Sequence, residues 1–197
     1  IKPGETTSVE INMPEICRAQ SKIQSSKPSL GNKFYFTGAL ADLNNDLANN
    51  PVEEPSFSVR SQEEYDQMMK DISTMTVDQY KTYWTEKYQK AVDQLNQLTG
   101  ISDAHRQLIA MKLKHELADQ LLGYRAIEYA YRQTNKIPKD SVLVNYVKPI
   151  ATQDYFNFLP ELLSNDPFFI FNCNAAYLLR GLQFTNFTGK DIKLEKD

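Results

Sequence analysis

Only two cysteines, two histidines, seven glycines and one tryptophan occur among 197 residues, and each scarcity closes off a chemistry. Cys17 and Cys173 lie far apart with no CxxC, so the chain carries no local dithiol redox motif and no thiolate zinc knuckle. A bridge between them would close a loop long enough to add roughly 5 kcal/mol. Cys173, at the end of Phe-Phe-Ile-Phe-Asn-Cys, equally suits a buried thiol acting as a small hydrophobe. Few glycines also mean no Gly-rich phosphate loop and no GxSxG elbow. The net charge of −3 comes without a dense Lys/Arg cluster, which excludes a nucleic-acid partner held through its phosphates. The longest apolar run, Phe168 to Phe171, is far below the roughly 20 residues of a membrane-spanning helix.

What remains is helix-forming sequence. The hydrophobic share of 41% and charged share of 24% are ordinary for a globular chain. The stretch Ser102–Arg132 reads as one long amphipathic helix with a broad stripe through Leu108, Met111, Leu113, Leu117, Leu121, Tyr124 and Ile127. Ser102 can cap its first turn, and Asp103 sets a negative charge against the positive end of the helix dipole. Thr76–Leu98 carries a second stripe, Tyr80, Trp84, Tyr88, Ala91 and Leu95, with Gly100 placed as a left-handed cap beyond its end. The short link between the two predicts an antiparallel helical hairpin with Trp84, Leu113, Leu117 and Leu121 buried. Ser61 and Glu64 form a capping-box signature for a helix over 61–74, and Asp166-Pro167 opens another over 167–182.

The N-terminal part differs. Pro3-Gly4 suits a type II turn, and Val9, Ile11 and Met13 alternate as in a half-buried strand that Pro14 stops. The available partner is 33–37, where Phe34, Tyr35 and Phe36 have strong β preference. Arg18–Asn32 reads as a long polar loop, and Gly38–Asn49 as a short helix on Leu40, Leu43 and Leu47. The fold class is therefore mainly α, an antiparallel helical hairpin or bundle with a small N-terminal β element. Its divisions fall at 1–59 (strand, irregular segment and one short helix), 60–184 (helical domain) and 185–197 (charged tail or linker).

No catalytic, cofactor-binding or metal-ligating residue is assigned. His115 and Asp119, one helical turn apart, read as a partly exposed pair on a polar stripe. His115-Glu116 lacks the second His of a zinc-protease motif, and His105 points elsewhere around the helix. Lys112 with Glu116 and Glu128 with Arg132 are i,i+4 surface pairs. The aromatics Tyr80, Tyr83, Trp84 and Tyr88, and those from Tyr155 to Phe171, fit helix packing, with a carbohydrate or peptide groove as the competing use. Arg18 adjoins Cys17, but no specific pattern marks that thiol as a nucleophile.

Two stretches carry a resemblance: Pro3-Gly4-Glu5 with its strand, and Phe36-Thr37-Gly38-Ala39-Leu40-Ala41-Asp42-Leu43-Asn44. With the Tyr-rich hairpin and Asp166-Pro167 beyond them, the chain resembles the region upstream of the thioredoxin domain in Bacteroidetes TlpA-like thiol-disulfide oxidoreductases. It departs from the full family pattern in having no WCxxC. The resemblance implies a non-catalytic accessory region of a periplasmic envelope protein, lipid-anchored through a leader that is absent here. Val9–Met13 would then be the last strand of a preceding β domain. The implied partners are the C-terminal thioredoxin domain of the same parent chain and a client protein or a second copy. The opening at Ile1, without Met or an apolar leader, fits a piece of something longer. Two rivals stand beside this reading: a self-contained helical ligand- or protein-binding module of the envelope, and a stand-alone redox protein using Cys17 and Cys173.

Overall fold

Asn12 starts the first helix, because its side-chain oxygen accepts the Glu15 N–H at 3.1 Å and Pro14 stands in the first turn, where a missing N–H costs little. A computed structural model describes residues 5–21 and 24–162; Pro3-Gly4, Cys173, the expected helix 167–182 and the tail 185–197 lie outside them. In chain order the elements are β1 (Thr7–Ile11), α1 (Met13–Gln20), a 3-10 turn (Gln24–Ser26), β2 (Phe34–Gly38), α2 (Ala41–Asn49), α3 (Gln62–Ile72), α4 (Val77–Gln97), α5 (Asp103–Leu122), α6 (Ala126–Thr134), a second 3-10 turn (Gln153–Phe158) and α7 (Leu159–Leu162). The protein is mainly helical, with β1 and β2 forming a small two-stranded antiparallel sheet. Contacts group it into two units, Ile1–Glu54 with Gln94–Ala110, and Pro55–Asp93 with Met111–Asp197.

In the first unit, β1 and β2 pair in the register Thr7 with Gly38, Val9 with Phe36 and Ile11 with Phe34. Gly38 is required: its φ is +87°, and a Cβ there would sit 2.2 Å from the Thr6 carbonyl oxygen. The segment expected as loop from Arg18 is helical as far as Gln20. A buried carboxylate explains how the rest of it is held. Glu15, only 3% exposed, takes two hydrogen bonds from the Arg18 guanidinium at 2.6 Å, one from the Ser29 hydroxyl at 3.1 Å and one from the Leu30 N–H at 2.8 Å. Arg18 also donates to the carbonyls of Ser25 and Lys27 at 3.2 and 2.9 Å, so one ion pair ties 25–30 onto α1. The Arg18 and Leu30 donors outweigh the opposing effect of burial and hold the Glu15 carboxyl down at about 2. A depressed carboxyl contributes stability above its unfolded value, 4.5, and loses it as pH falls toward 2.

At the far end of the hairpin, Arg106 of α5 donates to the carbonyls of Leu95 and Leu98 (2.7 Å to the latter), closing the C-terminus of α4 with a cation. Gly100 follows with φ +78°, as the sequence predicts for a left-handed cap.

In the second unit, side chains cap the helix starts, at Ser61 as expected and at Thr76 as well. Thr76 and Gln79 exchange hydrogen bonds at 3.2 and 2.9 Å, and Ser61 accepts from Glu64 N–H at 3.1 Å. Trp84, Leu113, Leu117 and Leu121 are all buried, and α3 packs against α6. The expectation of one helix over 102–132 fails at its middle: α5 ends at Leu122 and α6 begins at Ala126. Gly123 is a weak helix former, and two phenols take the carbonyls that an unbroken helix would use. Tyr80 donates to Gln120 at 3.0 Å, and Tyr155 to Leu121 at 2.8 Å. Both phenols are buried, and that desolvation pushes their ionisation far above the ordinary tyrosine range. Tyr155→Phe should therefore leave the Leu121 carbonyl without its buried donor and cost about 1–3 kcal/mol in urea unfolding, with the fold retained. A loss near zero would mean that water reaches that carbonyl.

Candidate functional site

The most distinctive surface is the small sheet, whose two edges are treated differently. On the outer side of β2, two asparagines of α2 stand in for a strand. Asn45 accepts the Phe36 N–H at 2.9 Å and donates to the Phe36 carbonyl at 3.0 Å; Asn49 does the same to Phe34 at 3.4 and 2.8 Å. The match is metric: four residues of helix rise about 6 Å, close to the roughly 6.7 Å spanned by two residues of strand. An amide side chain presents a donor and an acceptor on separate atoms side by side, so each Asn meets both the N–H and the C=O of one residue.

With Phe34 and Phe36 turned outward, the ladder to β1 runs through the residues between and beyond them. Asn12 N–H donates to the Lys33 carbonyl at 2.9 Å, and Ala39 N–H to the Thr6 carbonyl at 3.2 Å. Antiparallel geometry then points the backbone groups of Thr7, Val9 and Ile11 away from β2. No hydrogen bond reaches those groups among the described residues, and every residue of β1 is exposed. Val9, Ile11 and Met13 are each about half exposed. A shallow cavity of about 540 Å³ lined by Glu10, Ile11, Asn12, Pro14 and Tyr35 adjoins the edge. The sequence shows the alternation of β1 but gives no sign of the asparagine seal, which depends on α2 lying against β2.

The histidines behave differently from expectation. His115 is 2% exposed, not on an exposed stripe, whereas Asp119 is at the surface. His115 falls among the core positions of α5 because Met111, Leu113, Leu117 and Ala118 flank it and are buried too. His105 is also 2% exposed and lies between two carboxylates, Nδ1 at 3.9 Å from Asp46 and Nε2 at 3.7 Å from Glu54. Neither ring nitrogen makes a hydrogen bond among the described residues. Asp46 itself accepts the Ser102 N–H and, at 3.2 Å, the Asn50 amide. Burial works against its ionisation, but Ser102, Asn50 and His105 together hold its carboxyl below the usual range. The cluster ties α2 to the start of α5. Among the described residues, no group of three or more His, Cys, Asp or Glu side chains is arranged to hold a metal ion.

The remaining candidates take structural places. Tyr155, Phe156 and Phe158 are buried against Tyr124, with ring centroids 5.2–6.4 Å apart across the group, and Lys81 donates to the Tyr155 carbonyl at 3.1 Å. Tyr80 and Trp84 are core residues in edge contact at 6.1 Å. Glu116 accepts from the hydroxyls of Ser56, at 3.2 Å, and Ser58. Glu128 and Arg132 pair at 3.2 Å, and Arg132 also holds the carbonyls of Pro138 and Ser141. Cys17 is exposed on α1. The short apolar stretch Val142–Val147 forms neither helix nor strand, with Val142, Val144 and Val147 exposed. No helix among the described residues is long and apolar enough to cross a membrane. In comparisons with protein-family models, curated proteins and solved structures, nothing matches the chain.

Proposed function

We propose that this chain is a non-catalytic accessory region of a periplasmic, TlpA-like thiol-disulfide oxidoreductase of the Bacteroidetes cell envelope, positioning or dimerising a thioredoxin domain that follows it in the parent protein. The observation that carries the reading is the open edge of β1 with half-exposed Val9 and Ile11 beside it, a surface suited to another polypeptide rather than to a small reactant. Its support from the sequence is the resemblance through Phe36–Asn44, a stretch that spans the end of β2 and the start of α2, including Gly38. The edge and its neighbouring cavity also favour the alternative, a self-contained protein-binding module of the envelope.

One measurement separates these readings, and a second tests the non-catalytic character they share. A WCxxC motif encoded within about 50 residues downstream of Asp197 in the parent reading frame supports the accessory role, and a stop codon there favours the module. In an insulin-reduction assay the chain alone should stay at background, because dithiol exchange needs two sulfurs within reach and an activated thiolate. Activity above background that disappears in Cys17→Ser would overturn the non-catalytic assignment.

A further inference from the structure

We infer that β1 is a self-pairing edge, through which two copies of this chain join their sheets into one four-stranded antiparallel sheet across a two-fold axis. The inference stands whether or not a thioredoxin domain follows. Its first ground is the asymmetry of the sheet. Asn45 and Asn49 consume the free N–H and C=O groups of Phe34 and Phe36, so β2 offers no template to a partner. β1 has no such cover among the described residues, and the pairing register points the groups of Thr7, Val9 and Ile11 outward.

The second ground is that β1 complements itself. Two antiparallel copies centred on Val9 place Val9 opposite Val9 and Thr7 opposite Ile11, so every outward N–H and C=O from Thr7 to Ile11 meets a partner. In that register Glu10 faces Ser8 of the other copy. Shifting the centre to Glu10 would set two carboxylates directly opposite, which is unfavourable, and shifting it to Ser8 would leave Ile11 unpaired. The favoured register also aligns Thr7, Val9 and Ile11 of both copies on one face, beside Phe34 and Phe36. Apolar side chains that are half exposed in one chain gain neighbours there. Strand edges alone make an interface at the small end of the usual range, so the association is weak, with Kd of order 10–100 µM.

Sedimentation of the full chain across a concentration series, with amide exchange followed in parallel, tests this. A monomer–dimer equilibrium is expected, with Val9 and Ile11 amides exchanging freely when dilute and protected when concentrated. Val9→Pro removes the central donor while leaving the β1–β2 ladder untouched, because the Val9 N–H is not part of it; dimerisation should weaken roughly tenfold or more. Val9→Lys places like charges across the axis, and its dimer should return as salt rises. That second variant separates lost pairing from lost folding. A wild-type chain still monomeric at about 1 mM, a dimer whose Val9 and Ile11 amides stay unprotected, or a Val9→Pro chain that dimerises as the wild type does, would each overturn the inference.

Discussion

Replacing Trp84 with alanine should destabilise the protein by about 3–5 kcal/mol, the range for deleting a large buried aromatic. Trp84 is 1% exposed and packs on Phe57, Tyr80 and Tyr83, with ring centroids 6.1, 6.1 and 5.1 Å away. Those three rings belong to two separate stretches of chain, so they cannot close on the space together. Trp84→Phe keeps much of the contact and should cost clearly less. Because Trp84 is the sole tryptophan, urea unfolding has to be followed by far-ultraviolet circular dichroism. A loss under about 1 kcal/mol for the alanine variant would show that this cluster is not core.

Asp46→Ala should cost about 1.5–3 kcal/mol, the usual worth of a hydrogen bond to a charged group. It strips the acceptor from the Ser102 N–H at the start of α5 and leaves His105 facing Glu54 alone. Asp46→Asn keeps an acceptor but loses the charge, and so isolates the electrostatic part. Since the folded carboxyl lies below its ordinary value of 3.8, its contribution is complete above that pH and is lost as pH falls. The wild-type advantage over Asp46→Asn should accordingly shrink on acidification from about pH 4 downward. Glu15 acts in the same acid range, but it is common to both proteins and cancels in the difference. An advantage that grew on acidification would contradict the assigned role of Asp46.

Local pattern sufficed where the governing interactions are local. Ser61 with Glu64, and Gly100, each act within a turn, so residue type and spacing revealed them. The stripes of α4 and α5 announced a buried face because burial in a hairpin follows helical period, and Trp84, Leu113, Leu117 and Leu121 are buried accordingly. The alternation of Val9 and Ile11 likewise marked a strand, and the aromatic run Phe34–Phe36 marked its partner. One local signal was there to be read and was missed: Asn12 followed by Pro14 is a helix start as much as a strand end.

What the sequence alone determined is thus the mainly helical class, the hairpin and the small sheet, because periodicity and capping act over a few residues. Tertiary structure decided the rest. It broke the long helix at Gly123, where phenols from Tyr80 and Tyr155 arrive from elsewhere in the chain to take the carbonyls of Gln120 and Leu121. It buried His105 between Asp46 and Glu54, and it sealed one edge of the sheet with Asn45 and Asn49 while leaving β1 open. A donor cannot show in sequence which distant acceptor it will meet, since that pairing exists only once packing has fixed both ends.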